Sequence, residues 1–386
     1  MKLGIVANEF FDEKIGRVGG FGWAARQVAT FFNSRPDLDV DVVFLAAGIK
    51  NRTGASYTRV HDTLFVFEST GAKYRETIRN HAIDLVLTID YRPRYRRVLG
   101  VLDQVPTIIW VRDPRPPGVV KRLSTLTIPG DDSARPQGIN VIDCTSLAIL
   151  TDPRLNGARS LMFATPARSL GRFVESTYNI PNATCIFLPN IVDVGREPVT
   201  KYRKPRVVFV GRLDPIKRPW LFVDLARRFP GAEFLMLGKS HFCGPGSWVP
   251  RTLPNNLRLL GHVDGKQKFQ LLSSAWILVN TSIHESLPTS FLEALSFETP
   301  LLACTNQEEV VSRFGIFTGE FDGHGMQGIP WFVSGLQQLI EDNNLRVQLG
   351  QRGRQWVGRT HNGVQFLRAF DAISAGAGLR RAQTLL

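Results

Sequence analysis

Short apolar runs alternate with amphipathic stretches along the whole chain. In the first half, the apolar runs have the length and composition of buried or half-buried strands, at residues 3–7, 40–45, 64–67, 85–89, 107–111 and 141–143. Two stretches with helical spacing, 23–32 and 167–178, lie among them. This alternation predicts βαβ units, in which helices cover both faces of a parallel sheet.

The same pattern begins again after a charged, proline-punctuated stretch at residues 196–205, which is the best linker candidate. Beyond it we predict strands at 207–210, 233–237, 257–260, 277–280 and 301–303, and helices at 219–228, 265–274, 290–297 and 330–343. The fold class is therefore α/β, with two Rossmann-like domains that face a central cleft. Since open parallel sheets bind ligands at the carboxyl ends of their strands, we expect the function to lie in that cleft.

Composition is that of a globular protein with anionic partners. The chain has 386 residues, 43% of them hydrophobic and 21% charged, and a formal net charge of +13. The longest apolar stretches fall well short of the roughly 20 residues that a membrane span needs. We predict a cytoplasmic protein, because the first apolar run is too short for a signal peptide and the four cysteines are isolated.

We predict no metal site. The cysteines Cys144, Cys185, Cys243 and Cys304 form no Cys-x-x-Cys pair. Closely spaced aspartates at 37–41 and 131–132 lie at a strand entry and in a polar loop, where solvated surface charge is expected. The prediction is a chain without a resident cofactor.

Four arginines follow a predicted strand within seven residues: Arg92, Arg94, Arg96 and Arg97. With two interleaved tyrosines they can bind the phosphates of an anionic membrane surface or of an anionic acceptor. Nucleic acid is a weaker prediction, because no nucleic-acid-binding motif accompanies the cluster.

A strand that runs into a cationic loop predicts a diphosphate site. Residues 207–217 read VVFVGRLDPIK, so Arg212 and Lys217 project from the carboxyl end of a strand. Gly211 removes a Cβ where the backbone would approach a ligand. Each charge-assisted hydrogen bond contributes roughly 1.5–3 kcal/mol, against ~0.3–1 kcal/mol for a helix dipole, so the two cations would dominate. The alternative is a solvated surface pair.

Residues 284–300 combine a strand end, a polar loop and a helix start with two carboxylates, Glu285 and Glu293. Free N–H groups at a helix start can bind a phosphate, and carboxylates can accept hydrogen bonds from sugar hydroxyls. The pattern favours a sugar nucleotide as ligand. A structural alternative is a capping box, with Ser290 as the N-cap and Glu293 at the third helical position.

A glycine-rich stretch precedes the first predicted helix. Gly20, Gly22 and Ala25 match the dinucleotide fingerprint Gly-x-Gly-x-x-Ala, which would suggest a nicotinamide-dependent oxidoreductase. The match is weak, because the preceding strand ends near Ala7, about a dozen residues earlier. A long loop that ends in Gly19 and Gly20 better suits a lid whose backbone approaches a substrate.

Taken together, the motifs resemble those of a family 4 glycosyltransferase, a retaining, metal-independent group with the GT-B fold. The resemblance covers nearly the whole chain and is strongest at residues 204–304. It is carried by residues 18–22, 188–193, 209–217, 257–263 and 285–293, the last of which has the family's Glu-x7-Glu spacing.

The resemblance implies roles for individual residues. Arg212, Lys217 and Glu285 would be catalytic, the two cations at the donor diphosphate and Glu285 at the donor sugar. The donor-binding residues would be Gly19, Gly20, Gly211, Val263, Leu287, Pro288, Thr289, Ser290 and Glu293, with Glu293 at the ribose and the Val263 backbone at the base. The resemblance also implies that residues 363–386 return to an acceptor-binding domain at 1–195, leaving 196–362 as the donor-binding domain.

Two positions depart from the family pattern. Arg112 and Asp113 stand where many members have a histidine, so they become the acceptor-side candidates. Arg218 follows Lys217 where many members have glycine. The prediction is sugar transfer from a nucleotide-diphosphate sugar to a glycan or lipid-linked acceptor; the alternative is a non-catalytic sugar-nucleotide or glycan-binding subunit of an assembly complex.

Overall fold

The computed structural model describes residues 1–10, 12, 15, 19–49, 56–69, 72–131, 136–137, 160–180, 184–195, 198–250 and 252–379. By its internal contacts the chain divides into two compact units. The first unit comprises Met1–Pro116, Ile142–Ile191 and Gly363–Leu386; the second comprises Pro117–Val141 and Val192–Asn362.

The first unit contains an eight-stranded sheet. Its strands are β1 Lys2–Ala7, β2 Asp41–Ala46, β3 Tyr57–Val60, β4 Thr63–Val66, β5 Leu85–Ile89, β6 Thr107–Trp110, β7 Leu161–Thr165 and β8 Cys185–Phe187. They lie in the order β3-β4-β2-β1-β5-β6-β7-β8, and all neighbours are parallel except β3 and β4. Strands β1, after its first residue, and β5 are buried throughout because they lie at the centre of the sheet, covered on both faces.

Helices of the first unit are α1 Gly20–Asn33, α2 Ala72–Asn80, α3 Arg96–Leu99, α5 Val174–Tyr178 and, at the end of the described chain, α12 Gly363–Gly376. The apolar face of α12 packs on α1 through Phe366 and Phe370, which contact Phe32. This contact places the last helix in the first unit. The predicted helix at 167–178 is instead a 3-10 segment, Arg168–Phe173, followed by α5.

The second unit contains a six-stranded parallel sheet. Its strands are β9 Arg206–Val210, β10 Glu233–Leu237, β11 Leu257–Gly261, β12 Ile277–Asn280, β13 Leu301–Ala303 and β14 Gly315–Phe317, in the order β11-β10-β9-β12-β13-β14. The helices are α4 Pro117–Ser124, α6 Pro219–Arg228, α7 Gly265–Ser274, α8 Thr289–Ser296, α9 Val310–Phe314, α10 Ile329–Glu341 and α11 Asn343–Thr360. Because β9, β10 and β12 are neighbours, their carboxyl ends and following loops lie side by side.

The division of the chain differs from the predicted boundaries in the segment Pro117–Val141 and, by four residues, at Ile191, where 195 was predicted. Residues 1–195 were expected to form the first domain together, but Pro117–Val141 belongs to the second unit. Apolar packing holds this segment in the second unit, because Leu123, Leu126 and Ile128 are buried in its core. The predicted strand at 141–143 and Cys144 lie outside the described residues.

Candidate functional site

The loops after β9, β10 and β12 are joined by backbone hydrogen bonds. The amide of Gly211 donates to the Leu237 carbonyl at 3.0 Å, and the amide of Leu213 donates to the Lys239 carbonyl at 3.1 Å. On the other side, the amide of Ile283 donates to the Ile216 carbonyl at 3.0 Å. The three loops therefore form one connected surface at the carboxyl edge of the second sheet, which is where parallel sheets bind ligands.

Glycine is required at 238 rather than at 211. A Cβ at Gly211 would lie 3.7 Å from the Phe209 ring, an ordinary contact, whereas a Cβ at Gly238 would lie 1.8 Å from the Gly211 carbonyl oxygen. Gly238 also has φ +143, which L side chains rarely adopt. The close approach is thus between two loops of the site, and the sequence argument missed Gly238.

Lys217 and Glu285 lie together at this edge. The Lys217 ammonium donates to Glu285 Oε1 at 2.5 Å, and the same oxygen accepts from Asn280 Nδ2 at 3.0 Å and Ser282 Oγ at 2.6 Å. Burial acts to raise the pKa of Glu285, but the Lys217 charge and these hydrogen bonds outweigh it and lower the pKa below 4.5. Glu285 is therefore ionised at neutral pH.

Arg212 is the more exposed of the two predicted cations. Its side chain is 37% exposed, and its Nε lies 3.2 Å from Oδ2 of the buried Asp214. Asp214 Oδ1 accepts the backbone amide of His241 at 3.0 Å, which ties the β9 loop to the β10 loop. The guanidinium therefore lies at the edge of the site with part of its surface open to solvent.

Glu293 is held by an ion pair and not by a capping box. Helix α8 begins at Thr289 with Pro288 as its N-cap, so Ser290 lies inside the helix and makes no capping bond. The Lys268 ammonium of α7 lies 2.6 Å from Glu293 Oε1, and both side chains are over 90% buried. The capping-box alternative is wrong because the helix starts two residues earlier than a cap at Ser290 requires. Lys268 was not predicted, since a lone lysine on a helix usually faces solvent.

Three of the remaining donor-side candidates, Val263, Leu287 and Ser290, are buried. Val263 and Leu287 are buried at 7% and 5% exposure, and Ser290 is also buried. Val263 follows β11, whose last residue Gly261 accepts the Gly238 amide at 2.7 Å. The Val263 and Leu287 side chains are apolar and buried, so a polar ligand contact of these two residues would come from their peptide groups.

Gly19 and Gly20 lie at the start of α1 in the first unit. Gly19 is the N-cap, in an extended conformation, and its carbonyl accepts the Trp23 amide at 2.9 Å. Gly20 is the first helical residue and has open space around it. The two glycines are thus part of a helix start, and their closure over a donor stays a prediction.

Arg112 is buried and fixed in place. Its guanidinium lies 4.4 Å above the Trp110 ring and donates to Asn190 Oδ1 at 2.7 Å. Burial lowers the pKa of Arg112, although the nearby Asp90 carboxylate opposes that change. Asp113 is more exposed and pairs with Arg115 at 2.7 Å. Of the two acceptor-side candidates, Asp113 is the one nearer to solvent.

Asp90 organises this edge of the first sheet and was missed by the sequence argument. It follows β5 with φ +60, is fully buried, and accepts the backbone amides of Arg112 and Asp113 and the Tyr178 hydroxyl, the nearest at 3.1 Å. Burial raises the pKa of Asp90, and the Arg92 guanidinium at 3.2 Å opposes that shift.

The predicted four-arginine cluster is divided. Arg92 turns inward to Asp90 and is mostly buried, whereas Arg94, Arg96 and Arg97 are exposed. Arg97 is paired with Glu68 at 2.5 Å. Contact of the three outer arginines with an anionic surface stays a prediction.

The described ranges contain no group of three or more His, Cys, Asp or Glu residues placed to hold a metal ion. None of the helices in those ranges is both long enough and apolar enough to cross a bilayer.

Part of this chain is similar to known glycosyltransferases. Residues 196–356 match the family model "Glycosyl transferases group 1". An uncharacterized glycosyltransferase, MJ1059 of Methanocaldococcus jannaschii, is 29% identical over 151 residues, which cover 34% of this chain and 36% of that protein. The chain thus matches about a third of the length of this curated relative.

Solved structures share the fold over almost the whole chain. Sucrose-phosphate synthase from Thermosynechococcus elongatus superimposes with a TM-score of 0.69 at 14% identity, covering 97% of this chain and 99% of that one. Anabaena HepE in complex with UDP-glucose gives 0.65 at 12% identity, covering 97% and 100%. The predicted fold class, α/β with two Rossmann-like domains as in GT-B glycosyltransferases, is confirmed.

Proposed function

We propose that this chain transfers a glycosyl group from a nucleotide-diphosphate sugar to a hydroxyl acceptor, with retention of the anomeric configuration. The observation that carries the proposal is the Lys217–Glu285 pair beside Arg212, at the carboxyl edge of a sheet within the segment that matches the glycosyltransferase model. A diphosphate needs positive charge, and a sugar needs hydrogen-bond acceptors. This edge offers two cations, Arg212 and Lys217, and the Glu285 carboxylate, which is paired with Lys217.

The cations would stabilise the leaving group. As the bond between the anomeric carbon and the phosphate oxygen breaks, negative charge develops on the departing diphosphate. Removal of one such fixed donor lowers the reaction rate by a factor on the order of 10²–10³. Arg212 and Lys217 can supply this charge without a metal ion, and we propose that the reaction is metal-independent.

Glu285 would orient the sugar and not protonate it. Because its pKa is lowered, the carboxylate is an acceptor for sugar hydroxyls at neutral pH. In a front-face reaction the acceptor oxygen bonds to the anomeric carbon on the side that the diphosphate leaves. The acceptor proton then passes to the departing phosphate oxygen, so no protein nucleophile is needed.

The rest of the site would bind the nucleoside and the phosphates. Backbone amides at Thr289 and Ser290, at the start of α8, suit the phosphate oxygens. Glu293 would accept hydrogen bonds from the ribose, and the Val263 backbone would meet the base. We assign acceptor binding to the first unit, with Asp113 as the candidate contact.

Binding and turnover in two variants test the proposal. The wild-type chain is first screened by thermal shift with uridine, guanosine and adenosine diphosphates and their sugar conjugates; uridine compounds come first, because the HepE structure carries UDP-glucose. For Arg212→Ala and Lys217→Ala we expect diphosphate affinity to fall about tenfold or more and donor turnover by on the order of 10²–10³. Arg228→Ala, a 52% exposed cation on α6, is the control and should change neither. Unchanged turnover in both site variants would refute the leaving-group role.

A non-catalytic sugar-nucleotide or glycan-binding subunit is the second candidate. The observation that favours it is Arg112, which replaces the usual histidine and is buried with its guanidinium committed to Trp110 and Asn190. Tight binding of a sugar nucleotide, with neither hydrolysis nor transfer across a panel of acceptors, would support this alternative.

A further inference from the structure

Arg218 is a buried cation directly behind the candidate site. It lies between the 3-10 turn Pro215–Lys217 and α6, with φ 45 and ψ 53. An L residue pays a conformational cost in this left-handed region that glycine does not. The side chain is nevertheless fully buried, so the fold accommodates both the strained backbone and a charge without solvent.

The guanidinium makes four hydrogen bonds, and all four acceptors are uncharged. Nε donates to the Thr281 carbonyl at 2.8 Å, and Nη1 donates to the Phe321 carbonyl at 2.7 Å. Nη2 donates to the Ser282 carbonyl at 3.2 Å and to Cys304 Sγ at 3.1 Å. Burial raises the pKa of the Cys304 thiol, so the sulfur is neutral at pH 7. A Cβ at Gly325 would come 2.5 Å from Nη1, so a glycine there leaves room for the guanidinium.

These bonds link the two loops that carry the proposed catalytic groups. The Arg218 guanidinium binds the carbonyls of Thr281 and Ser282, which lead to Glu285. In return, the Thr281 hydroxyl donates to the carbonyls of Lys217 and Arg218 at 2.7 and 3.0 Å. The Lys217 turn and the Glu285 loop are therefore locked to each other through Arg218.

Arg218 also determines the charge of the site. Lys217 is paired with Glu285, and Arg212 with Asp214. None of the ion pairs recorded for the described residues involves Arg218. Of these five side chains, two carboxylates are paired with two cations, and Arg218 is the remaining cation. The nearby Asp322 carboxylate attracts the Arg218 guanidinium, but Asp322 is 64% exposed and paired with Arg122. Burying a charge among neutral acceptors is unfavourable, and an anion bound nearby relieves that cost.

We propose that Arg218 is a positioning residue for diphosphate recognition: it fixes Lys217 against Glu285 and supplies a buried positive charge that favours a diphosphate over a monophosphate. The proposal rests on the proposed function only in taking a nucleoside diphosphate as the ligand. A charge effect of Arg218 would grow with the charge of the phosphate group, whereas a loss of packing would weaken the binding of every nucleotide equally.

The test compares affinities for a nucleoside diphosphate and the monophosphate of the same base by calorimetry. The probes are UDP and UMP, with GDP/GMP and ADP/AMP as replacements where uridine is not the base bound. For Arg218→Met we expect affinity for the diphosphate to fall on the order of tenfold more than affinity for the monophosphate. Arg218→Lys keeps the charge and should retain most of the wild-type preference, even if both affinities fall.

Arg346→Met is the matched control. Arg346 is likewise buried and donates to neutral acceptors, among them the Leu339 carbonyl at 2.8 Å and Asn343 Oδ1 at 2.6 Å. It lies over Trp276, which precedes β12 and so marks the opposite edge of the sheet. This variant should lose stability without a change in the diphosphate preference.

An equal loss of diphosphate and monophosphate affinity in Arg218→Met would overturn the proposal. A diphosphate preference that is lost in Arg346→Met as well as in Arg218→Met would also overturn it. Should Arg218→Met fail to fold, Arg218→Lys decides: a diphosphate preference that collapses with the charge retained contradicts the charge argument. A wild-type chain that binds diphosphates but transfers no sugar would refute the proposed transfer and leave this inference standing. Sugar transfer by the wild-type chain, together with an unchanged diphosphate preference in the Arg218 variants, would support the proposed transfer and refute this inference.

Discussion

Removal of Lys268 tests whether Glu293 depends on a buried ion pair. The Lys268 and Glu293 side chains are 5% and 7% exposed, with nitrogen and oxygen 2.6 Å apart. The value of ~0–1 kcal/mol for solvent-exposed pairs therefore does not apply. Loss of one partner of a buried pair costs about 3–5 kcal/mol, because the other charge stays buried without compensation. For Lys268→Met we expect the lower figure, about 3 kcal/mol, since the methionine side chain still fills the space.

For a unit of roughly 200 residues this corresponds to a fall in melting temperature of about 6–12 °C. The assay is thermal unfolding by circular dichroism at pH 7, checked by urea titration. Lys268→Met with Glu293→Gln should recover most of the loss, because the buried carboxylate that lost its ammonium partner is then replaced by a neutral amide. Arg228→Met, which breaks an exposed pair with Asp224, should cost under about 0.5 kcal/mol. A Lys268→Met protein as stable as wild type would refute the reasoning, and so would a double variant no more stable than Lys268→Met alone.

Two further predictions concern the backbone and the pH dependence of the second unit. Gly238→Ala should cost about 3 kcal/mol or more in the free energy of unfolding, and Gly211→Ala about 1 kcal/mol or less, because only the first would drive a Cβ to 1.8 Å from a carbonyl oxygen; equal losses in urea titrations would contradict this. Burial lowers the pKa of Lys201 from 10.5 to about 7, so between those values the unfolded chain binds a proton that the folded chain does not. The stability of wild type relative to Lys201→Met should therefore rise with pH between about pH 7 and about pH 9. Melting temperatures of the two proteins that differ by the same amount at every pH in this range would rule the effect out.

Elements with a local signal could be predicted from the sequence. Helix α6 begins with proline at its first position, and α7 has Asp264 as an N-cap whose side chain accepts the Gly265 amide. Both helices have the predicted bounds, because these end signals act within one turn. Most of the buried strands, though not β7, were predicted for a similar reason, since short continuous apolar runs fit a covered parallel sheet.

Elements stabilised by distant contacts could not be predicted. Helix α11, Asn343–Thr360, was missed because two glycines, Gly350 and Gly353, interrupt the apolar residues Leu349 and Val357 on its packing face. A Cβ at Gly350 would lie 2.3 Å from the Glu298 carbonyl oxygen, and one at Gly353 would lie 2.5 Å from the Leu295 side chain. Close approach of this kind leaves no hydrophobic period in the sequence. The three-residue strands β8 and β14 are likewise too short for a pattern.

The chemical types at the candidate site were predictable, but their pairing was not. Strand ends indicated where Arg212, Lys217 and Glu285 would lie, because carboxyl ends of parallel strands share an edge. The sequence contained no signal that Lys217 would bind Glu285, 68 residues away, or that Lys268 would bind Glu293, 25 residues away. Asp90 was overlooked for the same reason, since its partners Arg112 and Tyr178 come from separate elements.

The Lys217–Glu285 pair need not break for both partners to serve the proposed reaction. A lysine ammonium has three donors, and the bond to Glu285 Oε1 uses one of them. The other two can reach phosphate oxygens while the pair stays intact. The bonds from Lys217, Asn280 and Ser282 all converge on Oε1, so the carboxylate is held through one oxygen and can accept a sugar hydroxyl with the other. On the proposed function, the departing phosphate and the sugar would then be held on either side of a single ion pair. A change in the position of Lys217 would move both at once, and Arg218 holds the two loops that determine that position.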